Sequence, residues 1–394
     1  MLCCVGIPAV LNFRRITTQK RFIPQIDGLR FVAIASVVFF HCYASLENRA
    51  AIPIPFALNG DLPKRGVELF FAISGFILGV PFASHYISKA PRVNLKQYFL
   101  RRLTRLEPPY FLSLLLWMAA QWVSARRPIG DMLPHLAAHM AYLHNFIYGA
   151  FVGPVNGVAW SLEVEVQFYT LVPILSLVFA IANPRLRRSA ILVAMAVIGI
   201  ATNPLYRTTH FHYFIGYYLA FFLAGFLVCD LYISHGEQKR SFLWDAAALC
   251  LWPLVWYPSR NLLHVALPFM IVVLYLAAFR GRICSAIFSH PVLTNIGGMC
   301  YSIYLLHFPG IYLVKRFTAY WHVRGNFWVF FALQAFLMWI FVLLSCGTFF
   351  LLIERPCMDR EWPQKVWRRL QALTTTAGST VPAEDSAKET SQPV

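Results

Sequence analysis

A candidate catalytic histidine shares an apolar segment with an arginine. Arg30 and His41 lie eleven residues apart in the stretch 26–41. On an α-helix, at about 100° and about 1.5 Å per residue, they return to within roughly 20° of each other and stand roughly 16 Å apart. With Arg30 at a membrane surface, His41 lies past the middle of a hydrocarbon layer roughly 30 Å thick. Ionisable side chains are costly at that depth, which favours a functional site; an idle histidine bonded to a neighbouring helix fits this window equally well.

Three clustered arginines precede a proline pair. Arg101, Arg102 and Arg105 follow the spacing i, i+1, i+4, so the first and last share a helical face. Forked guanidinium groups suit a polyphosphate ligand. Anchoring to anionic lipid explains the same charges and is favoured when only the charge pattern is considered. Pro108 and Pro109 predict that the arginine segment breaks there and that the next membrane span begins.

Two later windows place polar groups inside apolar runs. Glu163 and Glu165 are two positions apart, so on a helix they point roughly 200° apart and at most one of them shares a cavity with His41. Tyr304 and His307 are i, i+3 neighbours. A second intramembrane histidine favours a polar cavity within the helical bundle.

The window 66–76 combines an acid, a serine and a glycine. Glu68 and Gly75 fall on one helical face, and Gly75 with Gly79 forms a small-xxx-small pair that lets another backbone approach closely. Ser74 is expected to bond a carbonyl of its own helix rather than act as a nucleophile, because no Gly-x-Ser-x-Gly frame surrounds it.

The composition indicates that membrane-spanning helices position these groups. The 394 residues are 58% hydrophobic and 13% charged, with a mean hydropathy of +0.57, which is typical of a polytopic membrane protein. The net charge of +17 is spread between apolar runs, so it does not indicate a nucleic-acid partner. The nine cysteines form no CxxC pair and no His-Cys spacing, so no metal is predicted.

The hydropathy pattern predicts an all-α transmembrane bundle of about ten spans. Counted against these spans, 24 of the 34 Lys and Arg residues fall on one side, which places both termini in the cytosol. Residues 1–25 are predicted to be a cytosolic basic leader, 26–356 the transmembrane domain, and 357–394 a cytosolic tail that is disordered after about residue 372. The spans are about 28–46, 66–84, 108–124, 158–181, 190–203, 213–233, 242–258, 262–279, 294–314 and 328–353.

Taken together, these windows resemble the acyltransferase type 3 family of membrane O-acyltransferases. The resemblance covers about residues 24–356. The chain departs from the family pattern at three positions: family members usually have Gly where this chain has Phe31, Asp where it has Glu68, and often a second Glu where it has Val166. Its motifs occur here, in the family's order, as Asp27-Gly28-Leu29-Arg30 with His41, as Gly66–Phe76, as Arg101, Arg102, Arg105 and Pro108-Pro109-Tyr110, as Trp160–Tyr169, and as Tyr301–Pro309.

The resemblance implies an acyl-coenzyme A donor, commonly acetyl-coenzyme A, and a hydroxyl acceptor on a sugar, a cell-envelope glycan or another compound. It implies that His41 is the catalytic base, with a histidyl-acyl relay as the other scheme, and it selects Glu165 over Glu163 as the second catalytic residue. Glu163 is then expected against a different helix or near the outer interface. The implied donor contacts are Arg30, Arg101, Arg102 and Arg105. The implied cavity-lining residues are Glu68, Ser74, Trp160, Tyr304 and His307.

The resemblance also implies a multi-pass protein of the bacterial inner membrane, with membrane lipids as neighbours and no permanently bound cofactor. Two other classes fit the composition. A secondary transporter or flippase would use intramembrane His and Glu in a proton path, but the halves of the chain show no repeat. A non-catalytic assembly partner in envelope synthesis would not need a buried His and Arg on one face.

Overall fold

All regular elements in the described residues are helical, as the hydropathy pattern predicts. The computed structural model describes residues 13, 15–16, 22–47, 62–149, 153–205, 213–236, 239–257, 262–318, 327–359, 361–365, 367–368 and 371. The helices are α1 Pro24–Glu47, α2 Leu62–Ser88, α3 Leu95–Ala125, α4 Ile129–Met140, α5 His144–Tyr148, α6 Trp160–Leu175, α7 Pro184–Leu205, α8 Ile215–His235, α9 Phe242–Val255, α10 Leu262–Arg280, α11 Arg282–Phe288, α12 Pro291–Gly298, α13 Cys300–Phe317, α14 Phe327–Phe349 and α15 Arg355–Cys357.

Six helical stretches within the described residues are long and apolar enough to cross a membrane. They are Pro24–Leu46, Lys64–Ser88, Trp160–Ala180, Ile215–His235, Leu262–Arg280 and Trp328–Cys357. The other four predicted spans also coincide with helices, namely α3, α7, α9 and the pair α12–α13. The chain is therefore a multi-helix membrane protein; the count of ten spans and the cytosolic termini stay predictions.

Helices α2 and α8 cross at close range because glycines meet at the crossing. A Cβ added to Gly75 would overlap the carbonyl of Phe222, and one added to Gly225 would overlap the carbonyl of Ala72. Gly79 faces the next turn of α8. The close backbone approach predicted from Gly75 and Gly79 is confirmed, and residues of both helices pack in the larger hydrophobic core.

Helix α3 runs through its two prolines without a break, so the predicted interruption is wrong. Pro108 has no N–H to offer the carbonyl of Thr104, four residues earlier in the chain. That oxygen instead accepts a hydrogen bond from the indole Nε1 of Trp362, at 2.9 Å. The arginine cluster and the apolar half of α3 consequently belong to one continuous helix.

A smaller hydrophobic cluster joins α3, α4 and α13. Tyr110, Leu114 and Trp117 of α3 pack in it with Met132 of α4. The indole Nε1 of Trp117 donates to the carbonyl of Leu305 in α13, at 3.0 Å. This cluster holds the segment 129–148 against the helices that carry the candidate site.

The described residues of the predicted leader contact the bundle. The ring of Phe13 lies 6.4 Å from that of Phe350, and Arg15 forms an ion pair with Asp27 at 2.9 Å. Most of the leader, and the tail after residue 371, lie outside the described residues. The predicted disorder after about residue 372 concerns residues outside those that the structure describes, and it stays a prediction.

Candidate active site

Helix α1 carries both Arg30 and His41, and each lines a different cavity. Asp27, in the first turn of α1, forms ion pairs with Arg30 at 3.0 Å and with Arg15 at 2.9 Å. The Asp-Gly-Leu-Arg stretch therefore fixes the guanidinium of Arg30. The first cavity, which we call the arginine cavity, contains Arg30 and has a volume of about 640 Å³. The second, the histidine cavity, contains His41 and has a volume of about 370 Å³.

The arginine cavity brings together the guanidinium groups predicted from two separate windows. Its lining includes Arg30 from α1 and Arg101, Arg102 and Arg105 from α3, with Arg15 from the leader. The guanidinium carbon of Arg102 lies over the Tyr169 ring, at 5.1 Å from its centroid. Several forked donors that converge on one volume can bind several phosphate oxygens at once.

Two carboxylates balance part of this positive charge. Glu165 accepts a hydrogen bond from Ser74 at 2.5 Å, so Ser74 bonds another helix and not, as expected, its own. Glu354 is buried and accepts both the hydroxyl of Ser302, at 2.5 Å, and its backbone N–H, at 3.0 Å. Glu165 and Glu354 both line the arginine cavity. Glu165 therefore lies on the arginine side of the site and does not line the cavity that contains His41.

Tyr304 lies between the two cavities. It lines both of them, as does Val67. Its hydroxyl is 2.5 Å from the carbonyl of Val158 and 2.5 Å from the hydroxyl of Ser161. A carbonyl only accepts, so the tyrosine proton points to Val158, and Ser161 donates to the tyrosine oxygen. These two bonds hold the phenol in the wall that both cavities share.

His41 is held by a second histidine, and the carbonyls around that histidine settle the proton positions. The Nδ1 of His307 lies 2.9 Å from the carbonyls of Ile303 and Tyr304, so Nδ1 carries the proton. The Nε2 of a neutral His307 is then an acceptor for the Nδ1–H of His41, at 2.9 Å. The Nε2 of His41 has no proton in this arrangement, which suits a base or a nucleophile.

The histidine cavity has a second group of titratable residues, which the motifs did not predict. His139 and His144 line the cavity together with Asn145, while His135 is 2.9 Å from His144. The Nδ1 of His139 is 3.2 Å from Glu163, whose other oxygen accepts the backbone N–H of Asn145 at 2.7 Å. Of the two positions expected for Glu163, the structure gives the one against a different helix: the carboxylate contacts α4 and α5 and is fully buried, so it does not lie at a water-accessible interface.

This group offers the atoms of a metal site without the matching geometry. His139, His144 and Glu163 place one candidate ligand atom each within 4.8 Å of one another. However, the His139 and His144 rings are stacked, with centroids 3.9 Å apart and planes 2° apart. An imidazole binds a metal near its ring plane, and two parallel stacked rings cannot direct both lone pairs at one ion. The arrangement fits a hydrogen-bonded group.

Comparison with known proteins gives the family. A model of the acyltransferase domain, Acyl_transf_3, matches residues 23–350. The chain belongs to the acyltransferase type 3 family. This confirms the resemblance found in the sequence motifs, and it establishes the chain as an acyltransferase-family protein.

The curated relatives match between half and three quarters of the chain. The chain is 25% identical over 328 residues to peptidoglycan O-acetyltransferase OatA of Listeria monocytogenes, covering 75% of this chain and 50% of that protein. It is 26% identical over 210 residues to O-acetyltransferase OatA of Staphylococcus aureus, covering 51% of this chain and 32% of that protein. The chain thus spans about half, or less, of the length of these relatives. No solved structure gives a significant match.

The acyltransferase type 3 motifs converge on the two cavities, with two exceptions. Ser74 and Tyr304 line the arginine cavity, and Trp160 and Tyr304 line the histidine cavity. His307 is fully buried behind His41 and lines neither of these two cavities. Glu68 lines neither of them, because its carboxylate forms a buried ion pair with Arg65 at 2.7 Å. For these two cavities, the predictions that Glu68 and His307 are lining residues are both wrong.

The residues that the family motifs missed had only a weak signal in the sequence. His135 and His139 are four residues apart in an apolar stretch, so they share a helical face, and His144 follows shortly after. Glu354 is a lone acid at the end of an apolar run of more than twenty residues. Such residues at the edges of membrane spans are the features that would have pointed to them.

Proposed function

We propose that this protein is an integral membrane O-acetyltransferase that uses an acyl-coenzyme A, acetyl-coenzyme A in particular, as donor. The family match and the curated relatives support membrane O-acetyl transfer. The donor assignment rests on the arginine cavity, where Arg30, Arg101, Arg102 and Arg105 face a volume that falls in the range of about 300–1,000 Å³ of cofactor pockets. The pyrophosphate and ribose phosphate of coenzyme A are the multivalent anion that such a cluster suits.

The observation that carries the proposal is the junction at Tyr304. A donor whose phosphates bind the arginines can extend its thioester arm past Tyr304 toward the bare Nε2 of His41. There His41 takes the proton of the attacking hydroxyl, or it receives the acyl group and passes it on. Glu165 acts on the donor side in this scheme, since its hydrogen bond to Ser74 places it among the arginines.

We propose a hydroxyl of a cell-wall glycan as the acceptor. One relative is named a peptidoglycan O-acetyltransferase, and a cavity of about 370 Å³ has room for a sugar unit. The protein is then a multi-pass protein of the bacterial inner membrane, with the arginine cavity open to the cytosol, where coenzyme A is available. No observation on the site or among the relatives supports the transporter alternative.

The test is acetyl transfer by the purified protein in proteoliposomes. Acetyl-labelled acetyl-coenzyme A and a soluble peptidoglycan fragment are supplied, and labelled glycan is measured. His41→Ala is expected to reduce transfer by about 10²–10⁴-fold. His235→Ala, at the exposed end of α8, is the matched control and should leave transfer unchanged. Near-normal transfer by His41→Ala, or no dependence on acetyl-coenzyme A, would contradict the proposal.

A further inference from the structure

The histidine cavity contains a second imidazole whose environment parallels that of His41. His139 is 2% exposed and lines the same cavity as His41. Its Nδ1 faces Glu163 at 3.2 Å, and the other oxygen of Glu163 accepts the backbone N–H of Asn145. An ionised carboxylate only accepts, so the Nδ1 of a neutral His139 carries the proton and its Nε2 does not.

The Nε2 of His139 is a buried acceptor without a partner. Among the described residues it has no hydrogen bond, although it is shielded from solvent. A buried polar atom left unsatisfied costs about 1–3 kcal/mol, and such atoms in native proteins call for an explanation such as a ligand or a catalytic role. A hydroxyl bound in this cavity would supply the missing donor.

Among the described residues around His139, Glu163 is the acidic side chain that contacts its imidazole. Burial, together with His139 and His135, lowers the pKa of His144 to about 3, so the ring stacked on His139 is neutral at pH 7. Burial, His139 and Arg127 lower the pKa of His135 in the same way. The other titratable side chains around His139 are Tyr110 of α3, whose hydroxyl donates to the His139 carbonyl, and the cavity residues Lys64, His41, Tyr213 and Tyr304.

We propose that His139 is a catalytic base that deprotonates the acceptor hydroxyl, with Glu163 as its positioning residue. This inference rests on the proposed acetyltransferase function and divides its chemistry between two histidines. The side chain of His41 handles the acyl group, and the side chain of His139 handles the acceptor proton. A carboxylate that orients an imidazole, which in turn takes the proton of a hydroxyl, is the arrangement used in base-activated acyl transfer.

The first half-reaction takes place at His41. Its Nε2 lone pair attacks the thioester carbonyl carbon, an N–C bond forms, the C–S bond breaks, and coenzyme A leaves as the thiolate. The Nδ1 proton of His41 passes to the Nε2 of His307, at 2.9 Å, and the thiolate takes a proton from solvent in the arginine cavity. The products are neutral acyl-His41, protonated His307 and the free thiol of coenzyme A.

The second half-reaction takes place between the two histidines. The acceptor oxygen attacks the acyl carbon while its proton moves to the Nε2 of His139. The C–O bond of the ester forms, the C–N bond to His41 breaks, and the Nδ1 of His41 recovers its proton from the Nε2 of His307, which leaves the Nε2 of His41 bare again. His139 returns the acceptor proton to solvent, which balances the proton taken up by the thiolate. The net result is ester and thiol from thioester and alcohol, with no oxidant or other co-reactant.

Half-reaction kinetics test this division of roles. The protein in proteoliposomes is mixed with acetyl-coenzyme A alone, and release of thiol and acetyl-labelled protein are followed; a peptidoglycan fragment is then added. Wild type is expected to release a burst of about one thiol per protein and to transfer the acetyl group when the glycan arrives. His139→Ala should keep the burst and slow the second step by about 10²–10⁴-fold. His41→Ala should lose both steps.

Each result bears on a different claim. Loss of burst and transfer together in His139→Ala, or transfer at the wild-type rate, overturns the role of His139 and leaves the acetyltransferase proposal intact. A wild type that transfers without acyl-protein also overturns this inference alone. A wild type that shows neither step with acetyl-coenzyme A overturns the proposed function itself. His235→Ala is the matched control in every assay.

Glu163→Gln separates positioning from simple structural support. It preserves the shape of the side chain and removes the carboxylate that faces the Nδ1 of His139 at 3.2 Å. Glu163→Gln should therefore slow the second step and keep the thiol burst, whereas a merely structural change would weaken both steps. Loss of both steps, an unchanged second step, or a stoichiometric metal lost in Glu163→Gln would overturn the positioning role.

Discussion

At the scale of single residues, the two carbonyls of α13 that face His307 determine where the protons of the His41–His307 pair lie. They require a proton on His307 Nδ1, which leaves the Nε2 of His307 to accept from His41. His307→Phe removes that acceptor and should lower kcat. The loss should not exceed the contribution of a catalytic base, which is about 10²–10⁴-fold. His307→Gln retains a carbonyl acceptor and should keep more activity. Equal activity of the two variants in the proteoliposome assay would contradict this proton arrangement.

The arginines of α3 allow a second prediction at this scale. Arg101→Ala or Arg105→Ala should raise the KM for acetyl-coenzyme A more than the KM for the glycan. Arg105→Lys should restore only part of the donor affinity, since an ammonium group is a point charge without the bidentate fork. Titration of both substrates gives the comparison. Unchanged donor dependence in both alanine variants would mean that the cluster serves lipid anchoring only.

Residue spacing could predict one part of this site and not the other. Arg30 and His41 are on one helix, so 3.6-residue periodicity already gives their relation. The contact of His139 with His144 depends on the turn between α4 and α5, where Tyr142 takes a left-handed conformation with φ of 55°. Tyr142 is stabilised there by a hydrogen bond from its hydroxyl to Glu107 of α3, at 2.9 Å. Such tertiary support has no local signal.

At the scale of helices, α3 shows why a proline pair was a misleading signal. A proline interrupts a helix largely because a carbonyl four residues earlier loses its partner. Here Trp362, 258 positions beyond Thr104, supplies the missing donor. The helical spans could be predicted from hydropathy, whereas the continuity of α3 depends on a contact far away in the chain.

The crossing of α2 and α8 gives a prediction for these elements. Gly225→Ala should lower the thermal midpoint in detergent, because its Cβ would overlap the backbone of α2 and overpacking costs about 1–3 kcal/mol. Gly216→Ala, near the start of the same helix, has open space around it and is the matched control. It should be neutral or slightly stabilising, because Ala has the higher helix propensity. Equal midpoints for the two variants would contradict the close crossing.

At the scale of the whole molecule, the two cavities imply a fixed direction of transfer. If the arginine cavity opens to the cytosol, as proposed, only that face can accept acetyl-coenzyme A. Inside-out membrane vesicles should therefore use externally added acetyl-coenzyme A, while sealed right-side-out vesicles should not until they are permeabilised. Measurement of acetylated glycan in both preparations gives the answer. Equal use in sealed vesicles of both orientations would contradict the assignment of sides.

The bonds of Tyr304 to Val158 and Ser161 also bear on the electrical integrity of the membrane. If both cavities held water and joined inside the bilayer, protons would cross the membrane through them. The phenol of Tyr304, held by two hydrogen bonds in the wall that both cavities share, separates them. An enzyme with such a barrier would transfer acetyl groups across a bilayer without dissipating the proton gradient across that bilayer. Tyr304→Gly should therefore make proteoliposomes leak protons, as a pH-sensitive dye in their lumen would report, while wild type keeps them sealed.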